Sequence, residues 1–313
     1  MDLKQIEYIL KIAEENNITR AAEKLFITQS ALNQQLLKLE KELGTQLFHR
    51  SRTDWHPTEA GEIYLAAAKK ILSIKQDTYN RIFDLSLQRR GRLSIGFTPN
   101  RGTSMFSAVY PEFHEKYPQV MVEPMELSVA EQLERIGNNT LDIGFLTLLC
   151  HQRKAGFSYF PIKSEEIFLG VPAHKNYSAQ SSRSHALSSD DTKKESARFP
   201  VLSLDQLQGE SFVLLYKQST IRTLVDDLFH SSGFIPDILF ETSSTYTILN
   251  MIEAGLCCGF IPEYYVDETN PAIQYFCLPK RPSWNVVSCY SSSNYISNAA
   301  KDFIDLARKH WIA

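Results

Sequence analysis

Residues 19–61, TRAAEKLFITQSALNQQLLKLEKELGTQLFHRSRTDWHPTEAG, constrain the fold of this chain more than any other stretch. They hold two helical runs a few residues apart, and the second run has two sharply different faces. Leu32, Leu36, Leu39 and Leu43 recur every three or four residues, which puts them on one narrow helical face. Ser30, Gln34 and Lys41 stand opposite, with Asn33 and Lys38 at the flanks. These side chains are short or amide-bearing, unlike the Glu/Lys mixture of an ordinary solvated helix. An amide offers a donor and an acceptor to one base edge, which is what readout in the major groove requires. The same leucine spacing would also suit a two-helix hairpin in an ordinary bundle. Against that, Ala21 and Ala22 are small enough to let two helices cross closely, and Thr19 and Thr28 each precede a helical run that a hydroxyl can cap. The pattern predicts a winged helix-turn-helix that turns Thr28, Gln29, Ser30, Asn33, Gln34 and Lys38 toward DNA. The tail GTQLFHRSR forms the wing and sets Arg50 and Arg52 where they can hold phosphates.

The first ninety or so residues resemble LysR-type transcriptional regulators. The resemblance is carried by AAEKLFITQSALNQQLLKLEKELGTQLFHR and RTDWHPTEAGEIYLAAAKKIL, and it continues to the C-terminus. It implies an α/β chain with an N-terminal all-α winged helix-turn-helix and a C-terminal two-lobed, periplasmic-binding-protein-like effector domain. It also implies binding to double-stranded DNA as a homodimer or homotetramer, with a small-molecule effector between the lobes. Asn33 stands where the family usually has Ser, and Pro57-Thr58 where Leu-Thr is usual. The first departure lies on the base-reading face, so the operator preference of relatives does not carry over.

A chain of 313 residues suggests two or three domains. Its net charge of −3 is unevenly spread: residues 1–92 carry +3 and residues 93–313 carry −6. The basic excess lies in residues 61–92, so whole-domain charge supports DNA binding only weakly.

A first helix is expected over about 3–14, with Leu3, Ile6, Leu10 and Ala13 on one face. Thr58 opens a long helical pattern to about Leu87, and from Glu62 to Arg90 no Gly or Pro interrupts it. Ile71, Ile74, Thr78, Ile82 and Leu85 make a seam that the small N-terminal domain cannot cover, which predicts a dimerisation helix. QRRGR at 88–92 then supplies a stop and a hinge. Beyond it the pattern alternates between strands and helices. Strands are expected at 92–98, 120–127, 141–148, 165–172, 211–216, 237–242, 256–262 and 284–290. Helices are expected at 104–117, 128–136, 220–233, 243–255 and 298–310. The domains are 1–60, a linker helix 58–90, and an effector domain 91–313. Within the last, one lobe takes about 91–165 and 268–313, and the other about 166–267.

Ligands of such folds sit beyond the carboxyl ends of strands, where helix N-termini present free backbone donors. That rule selects Thr98, Asn100, Thr103 and Ser104, then Ser128 with Thr147, then Ser219 and Thr220. Each hydroxyl alone is more simply a helix cap. Converging on one cleft they suit a small organic anion such as a carboxylate, with Arg101 or Lys217 as a source of charge.

The remaining features exclude other classes. The start MDLKQIEYIL has no apolar run behind a basic region, and no stretch approaches the ~20 apolar residues of a membrane span. The five cysteines, Cys150, Cys257, Cys258, Cys277 and Cys289, lack metal-ligand spacing, so a cytoplasmic chain without cofactor or metal is expected. A redox sensor built on Cys257-Cys258 is one alternative, but the run GLCCGFI reads as buried strand. An enzyme or solute-binding domain fused to the DNA-binding module is the other. No G-x-G-x-x-G, Walker A, H-E-x-x-H or G-x-S-x-G motif supports an enzyme. Residues 176–198 depart from the family in length and hold seven Ser with few apolar groups, which predicts a surface loop.

Overall fold

The computed structural model of the protein describes residues 2–51, 55–86, 90–175, 177 and 198–312. Arg52, residues 88 and 89 of the expected hinge, and nearly all of the 176–198 segment lie outside the described residues.

The chain opens with α1 (Leu3–Glu15), α2 (Ile18–Lys24) and α3 (Gln29–Leu43), followed by the antiparallel pair β1 (Phe48–Arg50) and β2 (Trp55–Pro57). α4 (Glu59–Leu85) follows directly. Caps fix the boundaries. Thr28 accepts the Ala31 N–H at 3.2 Å and starts α3, while Gly44, at φ 70°, ends it in the left-handed region that a Cβ disfavours. The cap of α2 is Asn17, which accepts the N–H groups of Thr19 and Arg20, so the expected cap Thr19 lies inside the helix. Ile6, Ile9, Ile12, Ala21, Ala22, Leu32, Leu36, Leu39, Leu47 and Phe48 are buried together. Four expected contributors are not among them: Leu10 and Ala13 pack against this core only partly buried, while Leu3 and Leu43 are 42% and 45% exposed, because each sits at a helix end that outruns the core. The wing is pinned to α4 at Leu47, whose carbonyl accepts the Thr58 N–H at 2.9 Å and leaves no room for a Cβ on Gly61.

α4 has 27 residues, so it extends about 40 Å. Its first half completes the N-terminal core through Tyr64, Leu65 and Ala68. Along its second half Ile74, Ile82 and Leu85 are 67%, 51% and 85% exposed. A different side of the helix touches the C-terminal half. There Asp84 accepts the Tyr295 hydroxyl and the Asn298 N–H, both at 2.9 Å, and Asp77 accepts the Tyr295 N–H at 3.2 Å. The Arg81 guanidinium lies 5.0 Å from the centre of the same tyrosine ring.

The C-terminal half alternates as expected: β3 (Arg90–Phe97), α5 (Arg101–Lys116), β4 (Gln119–Glu126), α6 (Val129–Gly137), β5 (Ile143–Leu148) and β6 (Phe157–Pro172). Then come β7 (Ser211–Leu215), α7 (Thr220–Ser232), β8 (Asp237–Thr242), α8 (Thr245–Glu253) and β9 (Gly259–Pro262). β10 (Ile273–Phe276), β11 (Ser283–Ser291) and α9 (Asn298–Ile312) close the chain. The main sheet runs β10-β6-β11-β5-β3-β4, with β9 also on β6, and β7 pairs with β8 in a separate parallel ribbon. β6 is the organising strand. Its residues 157–166 pair with β11, and residues 167–172 pair instead with β9 and β10. Apolar clusters form on either side of that change of partner. One gathers β3, β5, α5 and α9 around Phe113, Phe145 and Phe303, and another gathers α7 and the β7 region around Phe212, Phe229 and Phe260.

Several elements differ from expectation. α5 starts at Arg101, not Ser104, because Asn100 at φ 62° turns the chain directly into the helix. β6 extends eight residues further toward the N-terminus than the run EEIFLGVP, since FSYFPIKS pairs with β11 although its pattern is mixed. β10 was not expected, being four residues long.

Candidate DNA interface and effector site

α3 stands on the core through Leu32, Leu36 and Leu39, each no more than 1% exposed. That anchoring leaves Gln29, Ser30, Gln34 and Lys38 exposed and Asn33 half-buried, with Thr28 exposed at the cap. All six residues therefore sit at the outer surface of one helix and its first turn. Arg50 also makes contacts within the protein. Its guanidinium pairs with Glu40, a carboxylate that is 6% exposed and also accepts the Leu47 N–H at 2.8 Å. It further lies 5.6 Å from the Trp55 ring centre. Arg50 thus ties the wing to α3, with its side chain still 30% exposed.

At the other site, register brings three strand ends together. Phe97 of β3 is opposite Glu126 of β4 and Phe145 of β5, so Thr98, Ser128 and Thr147 follow at the same carboxyl edge. Thr220, at the start of α7, donates its hydroxyl to the Thr147 carbonyl at 2.8 Å and joins them. Other expected hydroxyls are already engaged. Ser128 forms the expected capping box with Glu131, whose carboxyl is held below the usual range by the hydroxyl and N–H of Ser128. Ser219 caps α7 by accepting the Arg222 N–H and donates to the Tyr216 carbonyl at 2.8 Å. Thr103 keeps a buried hydroxyl oxygen with no partner among the described residues, while Asn100 and Ser104 face solvent.

The residue that the sequence left open, Arg101, is 5% exposed. It pairs with Glu165, which is 1% exposed and sits where β6 changes partners. Glu165 also accepts the Trp284 indole N–H at 2.7 Å and the Tyr264 N–H at 3.0 Å. The rings of Tyr264 and Trp311 lie 4.9 and 5.5 Å from the Arg101 guanidinium. No sequence signal marks this cluster, because its members lie far apart in the chain. Lys217, the other candidate cation, is exposed. A concavity of about 980 Å³ lies elsewhere, between α5 and α9, and is lined by mixed charges such as Glu112, Lys116, Asp305 and Arg308. It is open to solvent and distant in chemistry from the strand-end hydroxyls.

The cysteines offer little to a redox reading. Cys257, Cys258, Cys277 and Cys289 are buried, and only Cys150 is exposed. Burial pushes the Cys257 thiol up to about 11 and those of Cys258 and Cys289 up to about 12. A thiol is the unreactive form, so these groups stay protonated at neutral pH. Among the described residues, no helix is long and apolar enough to cross a membrane, and no group of three or more metal-ligating side chains occurs.

Comparison with known proteins places both halves. Residues 3–62 match the family of bacterial regulatory helix-turn-helix proteins of the LysR type, and residues 86–312 match the LysR substrate binding domain. The chain is 29% identical over 309 residues to the uncharacterized regulator YcgK of Bacillus subtilis, covering 99% of this chain and 94% of that one. It is 27% identical to the regulator BudR of Raoultella terrigena, covering 97% and 96%. Among solved structures it resembles a full-length OxyR variant from Pseudomonas aeruginosa, with a TM-score of 0.68 at 23% identity, covering 99% of this chain and 94% of that one. It also resembles full-length CbnR in complex with its target DNA, with a TM-score of 0.59 at 20% identity and 99% of both chains covered.

Thiol chemistry checks the burial argument. In the native protein at pH 8, an aromatic disulfide reagent is expected to label Cys150 first, and the other four cysteines only as the chain unfolds. Rapid native labelling of Cys257 or Cys258, read by peptide mass spectrometry, would contradict it. With a reading domain matched over 3–62 and a sensing domain over 86–312, the chain belongs to the LysR family of DNA-binding transcriptional regulators and is not an enzyme.

Proposed function

We propose that this regulator reads its operator through the outer face of α3 and answers to a small organic anion held at the carboxyl ends of β3, β4 and β5. The observation that carries the first part is the exposure of Gln29, Ser30, Gln34 and Lys38 on a helix whose opposite face is anchored by Leu32, Leu36 and Leu39. Gln34 gives base readout, with Thr28, Gln29, Ser30, Asn33 and Lys38 as further contacts. Arg50 acts by holding the wing, and Arg52 supplies phosphate contact. The expected outcome for Gln34→Ala is a loss of about 1–3 kcal/mol on specific DNA with little change on random DNA. Equal losses on both, measured by titration at fixed salt, would remove Gln34 from readout.

The regulator acts as a homodimer joined along α4. The exposed Ile74, Ile82 and Leu85 form a seam left uncovered by the described residues of a single chain, and apolar area of this kind is covered in soluble proteins by a partner. Ile74→Glu with Ile82→Glu would place carboxylates where burial is costly. Sedimentation should show dissociation, and affinity for a two-half-site operator should fall with α3 untouched. A variant that still dimerises through α4 would rule this seam out.

The effector domain divides where β6 changes partners: one lobe takes about 91–165 and 268–313, the other 166–267. Thr98, Thr103, Thr147 and Thr220 are the effector-facing hydroxyls we favour, with Asn100, Ser104, Ser128 and Ser219 at the rim. Hydroxyls and helix N-termini complement negative charge. The protein works in the cytoplasm, where small carboxylates are available as signals. Thermal-shift screening of the full chain should find carboxylates that raise the melting temperature. Thr103→Val should abolish that shift without altering DNA binding in the absence of ligand. Stabilisation by neutral metabolites alone would exclude the anion class.

A further inference from the structure

Phe26 occupies the turn between α2 and α3, and two features of it are unfavourable in the isolated chain. The ring is 95% exposed, the most exposed large apolar side chain among the described residues. Its backbone has φ 55°, in the left-handed region where a bulky side chain is a true outlier. The turn explains the backbone. The Ile27 N–H donates to the Ala22 carbonyl and the Phe26 N–H to the Glu23 carbonyl, both at 3.1 Å. This pair of bonds is a Schellman motif, whose left-handed position is normally filled by Gly or Asn. The chain on either side packs inward, with Leu25 and Ile27 against the N-terminal core, while Phe26 is directed away from it.

The ring is left uncovered among the described residues. Non-glycine residues held in this region cluster where strain serves a ligand or partner. The surroundings identify the partner. Phe26 lies two residues before the Thr28 cap and three before the exposed Gln29, so it shares the end of α3 that begins the reading face. The major groove presents one strongly apolar feature, the 5-methyl group of thymine, and a phenyl ring is among the side chains that contact it.

We propose that Phe26 is a specificity-determining residue that packs on a thymine methyl group in each half-site. This rests on α3 being the reading helix, and it adds an apolar contact from the turn to the polar contacts from the helix. The backbone at positive φ sets the direction of the Cα–Cβ bond, so only the ring's own torsions remain to be fixed on binding.

The test uses full-length protein and DNA that it selects from a random pool. Each thymine of the selected half-site is replaced in turn by deoxyuridine, which deletes only the methyl group. At one position the natural protein should lose about fourfold in affinity per half-site, the factor that burying one methyl group is worth. Phe26→Asn and Phe26→Gly both suit the left-handed turn, so their melting temperatures should hold or rise. Each should bind the selected DNA more weakly and be indifferent to deoxyuridine at that position. Unchanged affinity of Phe26→Asn for the selected DNA would overturn the proposal. So would a loss of affinity in the variants when the natural protein senses no thymine methyl, which points to the sugar-phosphate backbone. Loss of transcriptional output with DNA binding intact would overturn it in favour of a protein partner. Gln34→Ala separates the two readings: if it leaves base preference unchanged, the reading-helix assignment fails, whatever Phe26 does.

Discussion

The C-terminal half is organised around one buried carboxylate. Glu165 lies at the point where β6 exchanges β11 for β9 and β10, and its two oxygens take donors from Arg101, Tyr264 and Trp284. An unpartnered carboxylate in such a place would be prohibitively costly, so the three donors must arrive together or the strand cannot be buried. Removing one member of such a pair is worth about 3–5 kcal/mol, whereas replacing the whole group by apolar residues can be neutral. Its value therefore lies in specification. It holds the start of α5, the start of β11 and the segment after β9 at one point, and these segments come from both apolar clusters.

The N-terminal half repeats the device on a smaller scale. Glu40 belongs to α3 yet is buried at the edge of its leucine face, where it accepts the Leu47 N–H and the Arg50 guanidinium. Both groups belong to the wing, which is too short to hold itself: β1 and β2 have three residues each. The angle between reading helix and wing is thus set by an acidic side chain on the reading helix itself. This gives Arg50 a structural reason to be where it is, independent of any phosphate.

Much of this was legible in the sequence where periodicity carries the information. The 3.6-residue repeat gave α3 and the length of α4, and the strand DILFET occupies Asp237–Thr242 as expected. Strand ends predicted Thr98, Ser128 and Thr147 at one edge, since parallel register aligns their carboxyl termini. What escaped depends on burial of polar groups. Arg101 and Glu165 are 64 residues apart, and nothing in local pattern distinguishes a caged arginine from a solvated one. The face of α1 was misassigned for a related reason. Periodicity permits both Leu3-Ile6-Leu10-Ala13 and Ile6-Ile9-Ile12, and only the position of α3 and α4 selects the second. Arg101, Gly102 and Thr103 were read as part of a loop because a residue at positive φ, Asn100, can lead into a helix abruptly, which composition does not reveal.

A single element connects the buried carboxylate cluster to the helix that carries the reading domain. α9 begins at Asn298, whose N–H is held by Asp84 of α4, and near its other end Trp311 flanks Arg101. Its 15 residues make a rod, about 22 Å long. Along its middle, Phe303 is locked against Phe106, Phe113 and Phe145, so the rod cannot bend without opening the core. Any rearrangement around Arg101 that tilts α9 must then appear at its other end. There Asp84 and Asp77 grip Tyr295 and Asn298, and burial raises the Asp77 carboxyl above its usual range against the opposing pull of the Tyr295 N–H and Arg81. The contact with α4 and the caged Arg101 are thus held at the two ends of one packed helix.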